Sequence, residues 1–127
     1  MTDELHFHSV AQLAALIRKR KLSPVELTTA CLERIAALDP QLNAFITVTP
    51  DLALKQARRA EREIGKGEYR GPLHGIPFGL KDIYNTRGIL TSAHSRVCID
   101  NVPDSDATTT RLLYDSGGVL LGKLATH

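Results

Sequence analysis

The sequence predicts an α/β protein in which a helical N-terminal segment leads into the first βαβ part of a mixed sheet. Three observations carry this. Helix start signals recur through the first half, at Ser9, at Ser23-Pro24 and at Thr49-Pro50. Composition and periodicity change at Gly71, after which Gly71, Gly75, Gly79 and Gly88 fall among Pro72 and Pro77. Beyond that point an apolar strand pattern, a helical pattern and a second apolar run follow in order, as in a βαβ unit of a buried parallel or mixed sheet. The chain therefore divides into a helical segment, 1–70, and the beginning of an α/β core, 71–127.

Taken in order, Ser9 and Gln12 form a capping box, and Val10, Leu13, Ala14 and Ile17 fall on one face of a helix that ends near Lys21. Ser23-Pro24-Val25-Glu26 combines an N-cap serine, a proline at the first helical position and a glutamate at the third. That second helix is expected to run to about Leu38 and to stop at Asp39-Pro40. Phe45, Ile46 and Val48 make a short β-prone run, and Thr49-Pro50 opens a third helix on which Ala53, Ala57, Ala60 and Ile64 share a face. Gly65 and Gly67 end it. Ile76, Phe78 and Leu80 then alternate with small residues as in a strand. Ser105 or Asp106 is expected to open a helix that Gly117-Gly118 terminates, and Val119-Leu120-Leu121 reads as a buried strand.

Composition excludes several classes of function. Sixteen Lys and Arg against fourteen Asp and Glu leave a net charge of +2, too small a field to mark a nucleic-acid surface, so no direct nucleic-acid binding is expected. The run Arg18-Lys19-Arg20-Lys21 sits where cations favour a helix C-terminus. With only Cys31 and Cys98, no disulfide framework is implied, and Cys31 falls on the apolar side of a helix as a reduced thiol. The N-terminus, MTDELHFHSV, has no apolar leader, and no stretch approaches the length of a membrane span. A soluble cytoplasmic protein without cofactor or metal is the expectation.

The stretch HGIPFGLKDIYNT raises a specific question, because it leads a lysine, Lys81, out of an apolar run and directly into Asp82. In a strand Lys81 and Asp82 diverge to opposite faces. On spacing alone Lys81 is a strand-end lysine with its amine in water. A lysine acts as a base only when neutral, and moving an amine from about 10.4 to about 7.5 takes roughly 4 kcal/mol of desolvation or like-charge repulsion.

The ordered set GPLHGIPFGLKD, TSAHS and DSDATTTRLLYDSGGVLLGK, preceded by SPVELTTACLERIAALDPQLNAF, resembles the N-terminal part of the amidase signature family over nearly the whole chain. The resemblance implies a truncated amidase signature fold and an amidohydrolase that cleaves carboxamide C–N bonds through a Ser-Ser-Lys triad, with Lys81 as the triad lysine. It implies that Lys81, buried and uncharged, works through a bridging serine to take and return the proton of a nucleophilic serine. Both serines then belong to a Gly/Ser-rich segment that the family places beyond GKLATH, so Ser92, Ser95, Ser105 and Ser116 are not their counterparts. His94 stands where the family commonly has glycine. A small-molecule amide is the implied substrate. A free amidase and the amide-hydrolysing subunit of a tRNA-dependent amidotransferase, which needs partner subunits, both remain open, as does a non-catalytic remnant or interaction module.

Other signals are weaker. GGVLLGKL nearly fits a phosphate loop, but Leu124 replaces the hydroxyl residue that would meet Mg²⁺, and Lys123 reads as a structural strand-end residue. His6 and His8 have no ligand cluster beside them. His74 reads as a hydrogen-bonded structural histidine.

Overall fold

The computed structural model describes residues 5–126. Its elements are α1 (Val10–Arg18), α2 (Pro24–Leu42), β1 (Phe45–Val48), α3 (Pro50–Gly65), β2 (Pro77–Lys81), a 3-10 turn (Arg96–Cys98), α4 (Thr108–Asp115) and β3 (Val119–Leu124). The start signals operate as read at α1 and α2. Ser9 and Gln12 each accept the other's backbone N–H, and Ser23 Oγ accepts from Val25 N–H just ahead of Pro24. Side-chain caps of this kind contribute about 1 kcal/mol each.

The ends differ from the sequence reading, and each difference has a local cause. α1 stops at Arg18 rather than near Lys21, with the chain turning at Arg20 in the left-handed region, φ 61°. α2 continues through Pro40 to Leu42. Its stop is Asn43, left-handed at φ 52°, whose N–H donates to the Asp39 carbonyl at 2.7 Å. Asp39 Oδ1 then accepts from the N–H groups of Ala44 (2.8 Å) and Phe45 (3.3 Å), so the aspartate ends the helix from behind rather than stopping it at its own position. α4 opens at Thr108 instead of Ser105 or Asp106. The Asp106 carboxylate is occupied elsewhere, accepting from Arg87 N–H at 2.7 Å.

The strands form one mixed sheet of order β1-β3-β2. β3 is central, antiparallel to β1 and parallel to β2. The parallel pair, joined through α4, is the expected βαβ unit, and β1 joins it from the chain before Gly71. β3 runs to Leu124, past the Val119–Leu121 run, because Gly122 lets β1 come close: a Cβ there would lie 2.2 Å from the Thr47 carbonyl oxygen. Thr49, at the N-cap of α3, ties that helix to β3 as well, donating its hydroxyl to Leu120 O (3.0 Å) and its N–H to Leu121 O (2.8 Å).

Two apolar clusters hold the layers together. Leu13, Ile17, Leu22, Leu27, Ile64 and Ile76 join α1, α2 and the end of α3 to the entry of β2. Each large side chain so buried contributes about 1.5–3 kcal/mol. Ala53 and Ala57, wholly buried, lay α3 on β3 at Val119, and their small size permits the close approach. No helix among the described residues is long and apolar enough to cross a membrane.

Candidate active site

The parallel strands β2 and β3 end side by side, Leu80 opposite Lys123 and Lys81 opposite Leu124. Leu80, Asp82 and Lys123 turn into the body of the protein. Lys81 turns away from it, so the expected divergence of Lys81 and Asp82 is present. The expected burial of Lys81 is not: its side chain is exposed, and no hydrogen bond or ion pair reaches its amine among the described residues. Nothing in residues 5–126 covers that face of the strand end.

The wholly buried lysine is Lys123. Its Nζ donates to Thr91 Oγ1 at 2.7 Å and to the Tyr84 carbonyl at 2.9 Å, and stands 3.5 Å from Asp82 Oδ1. Asp82 is equally buried, and its Oδ2 accepts from both Ser92 Oγ (2.6 Å) and Ser92 N–H (3.1 Å). Burial pulls the Lys123 amine below its ordinary value, against the opposing pull of the Asp82 charge. The strand-end placement of Lys123 agrees with the sequence reading, but the buried ion pair was missed. The only signal for it was Asp82 itself, a charge set by the two-residue period of β2 on the apolar face.

A second buried polar group lies at the other end of the same strands. His74 Nδ1 accepts from Arg70 N–H at 3.0 Å, which puts the ring proton on Nε2, 2.9 Å from Glu63 Oε1. This is the structural histidine expected. Beside it is a cavity of about 140 Å³ lined by Gln56, Arg59, Glu63, Arg70 and Tyr114. A separate apolar groove of about 290 Å³ runs between Cys31, Ile35, Leu38, Leu42, Phe45 and Leu121. Burial raises the Cys31 thiol, with Arg34 opposing it, which keeps the sulfur protonated. His6 also lines this groove, and no group of His, Cys, Asp and Glu among the described residues could hold a metal ion.

Residues 26–127 match the Amidase family. The chain belongs to that family.

Among its curated relatives, a glutamyl-tRNA(Gln) amidotransferase subunit from Methylococcus capsulatus is 48% identical over 120 residues, covering 94% of this chain and 24% of the relative. Among solved structures, the peptide amidase of Stenotrophomonas maltophilia is 47% identical with a TM-score of 0.85, covering 91% of this chain and 24% of that one. A fatty acid amide hydrolase is 30% identical with a TM-score of 0.90, covering 99% of this chain and 22% of that one. The chain thus spans about a quarter of the length of these relatives.

The fold brings the quoted motifs together. GIPFGLKD supplies β2 and the buried Asp82, TSAHS supplies the turn that grips Asp82, and GGVLLGK supplies β3 with Lys123. The turn carries two successive left-handed residues, Ala93 at φ 53° and His94 at φ 57°. That conformation favours glycine. His94 is held there by its ring, with Nδ1 2.6 Å from the Thr126 carbonyl oxygen.

Proposed function

We propose that this chain forms part of an amidohydrolase that cleaves carboxamide C–N bonds with Lys81 as the base of a Ser-Ser-Lys triad. The observation that carries the reading is the Amidase match over 26–127, with the lysine of the GIPFGLKD motif at the open end of a β-strand. A strand end is a rigid mount, and an amine free of partners is available to a group brought against it. In the reaction, a neutral Lys81 draws a proton from the bridging serine as that serine takes the proton of the nucleophilic hydroxyl. The hydroxyl oxygen bonds the amide carbon, the C–N bond breaks, and the proton returns along the same path to the departing nitrogen. Water then attacks the acyl ester by the same relay. On this reading the serines and the cover over Lys81 both come from sequence outside residues 1–127.

A second reading within the family is one component of an amidotransferase, which would pass the released ammonia to a partner. The amidotransferase relatives, 48% identical in the first case, support it, and the peptide amidase at 47% supports free amide hydrolysis equally. The test is ammonia release by the complete protein carrying these residues, from glutamine and from simple aliphatic and peptide amides. Lys81→Ala is expected to lower turnover by about 10²- to 10⁴-fold. The 127-residue chain alone is expected to release none. A Lys81→Ala protein that is folded and fully active would exclude the assignment.

A further inference from the structure

We infer that Lys123 is a positioning residue for Lys81: acting through Asp82, it fixes the backbone on which the Lys81 side chain is mounted. The inference rests on the amidohydrolase reading and adds to it a residue whose amine faces away from the site. Asp82 follows Lys81 directly and is held from every side. Its N–H donates to Leu124 O at 2.9 Å, and its carbonyl accepts from Ala93 N–H at 2.8 Å. Its Oδ2 takes the two Ser92 donors, and its Oδ1 makes no hydrogen bond, so the charge on that oxygen is met only by Lys123.

The same amine gathers the segment that leaves the strand. Asp82, Tyr84 and Thr91 all converge on Lys123 Nζ, so one side chain on β3 sets where the chain goes immediately after Lys81 and where it returns at Thr91. Stability alone is a poor explanation, because buried ion pairs can often be replaced by apolar residues of similar volume with little loss or even a gain. A fixed strand end is what a base needs, since displacement by an ångström can cost about 10²-fold in rate. Burial that lowers the Lys123 amine agrees with a group kept out of solvent for its geometry, and the opposite exposure of Lys81 separates the two lysines' roles.

The test is amide hydrolysis by the complete protein in four variants: Lys81→Ala, Lys123→Met, the two combined, and Thr91→Val. Lys123→Met is expected to lower kcat by about 10- to 100-fold with KM changed less than about twofold. In the Lys81→Ala background it is expected to lower the residual rate no further, because its effect passes through Lys81. Thr91→Val keeps the shape and removes one acceptor, and is expected to show a smaller loss with the same dependence on Lys81. An undiminished kcat in Lys123→Met, or an equal proportional loss with and without Lys81, overturns the inference. Should Lys123→Met fail to fold, Thr91→Val and its combination with Lys81→Ala decide by the same comparison. Full activity in Lys81→Ala overturns the amidohydrolase reading itself, and the positioning role with it. That failure is distinguishable because it needs no Lys123 variant.

Discussion

His74 donates its Nε2 proton to Glu63 across 2.9 Å, from a ring that is wholly buried to a carboxylate at the rim of the α3 helix. Arg70 closes the arrangement, giving its N–H to the same ring and its guanidinium to Glu63 Oε2 at 2.7 Å. The loop between α3 and β2 is thereby tied to the helix it leaves. Burial, the largest single influence on Glu63, pushes its carboxyl up, but the His74 and Arg70 hydrogen bonds with the Arg70 and Arg59 charges together hold it below its ordinary value.

The first prediction follows from that sign. A carboxyl lowered on folding contributes stability that is fully present above its unfolded value and is lost as pH falls through the folded one. Glu63→Gln is therefore expected to be less stable at pH 7 and to lose less of its remaining stability on acidification. Urea unfolding at a series of pH values between 7 and 3 measures this; parallel curves for the two proteins would contradict it.

Gly117→Ala is expected to destabilise by about 2–4 kcal/mol, combining left-handed strain with overpacking. Gly117 sits at φ 83°, and a Cβ there would lie 2.3 Å from His74 Cδ2 inside the same network. Thermal unfolding reads the loss. Gly67→Ala is the control, at the same φ of 83° with nothing within 4 Å, and should cost only the strain.

Tyr114 is expected to ionise well above the ordinary tyrosine value as the protein is titrated with alkali. Burial, then the Asp106 charge, push it up to about 12, against a hydrogen bond with Gln56. Its contribution to stability is present below 10.0, its ordinary value, and is lost as pH rises toward the folded value. Lys123, lowered on folding, acts in the opposite sense over the alkaline range, so the comparison is made with Tyr114→Phe at each pH. Absorbance at the tyrosinate band should lose its step at about 12 in that variant. An unchanged titration would remove the claim.

The chain alone is expected to bind apolar dyes and to associate as its concentration rises. Val97 is 93% exposed, Leu42 68% and Ile99 58%, and the groove beside Leu42 is open. Dye fluorescence with sedimentation checks it, and a monomer that leaves the dye dark would show that these surfaces are too dispersed to matter.

What the residues disclosed depended on the range of the interaction. Ser9 with Gln12, and Ser23 with Pro24, were legible because a cap is written within three or four positions. The parallel pairing of β2 with β3 was legible because glycines and apolar runs bracket it. The end of α2 was misread because Pro40 is a local signal, whereas the bonds that decide the stop come from Asp39 reaching to Ala44 and Phe45. The start of α4 was misread because Asp106 serves Arg87 instead. Lys81 was singled out by its motif, and its spacing placed the amine in water as the structure has it, whereas the expectation of burial came from the family resemblance. Lys123 and Asp82 meet only through the sheet, and no spacing rule connects them.

The order of strands in space has a consequence for how the chain acquires its shape. β3 lies between β1 and β2 yet is the last of the three in sequence. Neither earlier strand can gain a ladder partner until residues 119–124 have been made, so emergence from the ribosome leaves β1 and β2 waiting while the helices, whose contacts are local, form first. The late strand must then close two long loops at once, and the Thr49 hydroxyl that bonds Leu120 O and the close approach of Gly122 to Thr47 decide whether it docks in register. Folding of this region is thus gated by its final segment, the one that also delivers Lys123 to Asp82.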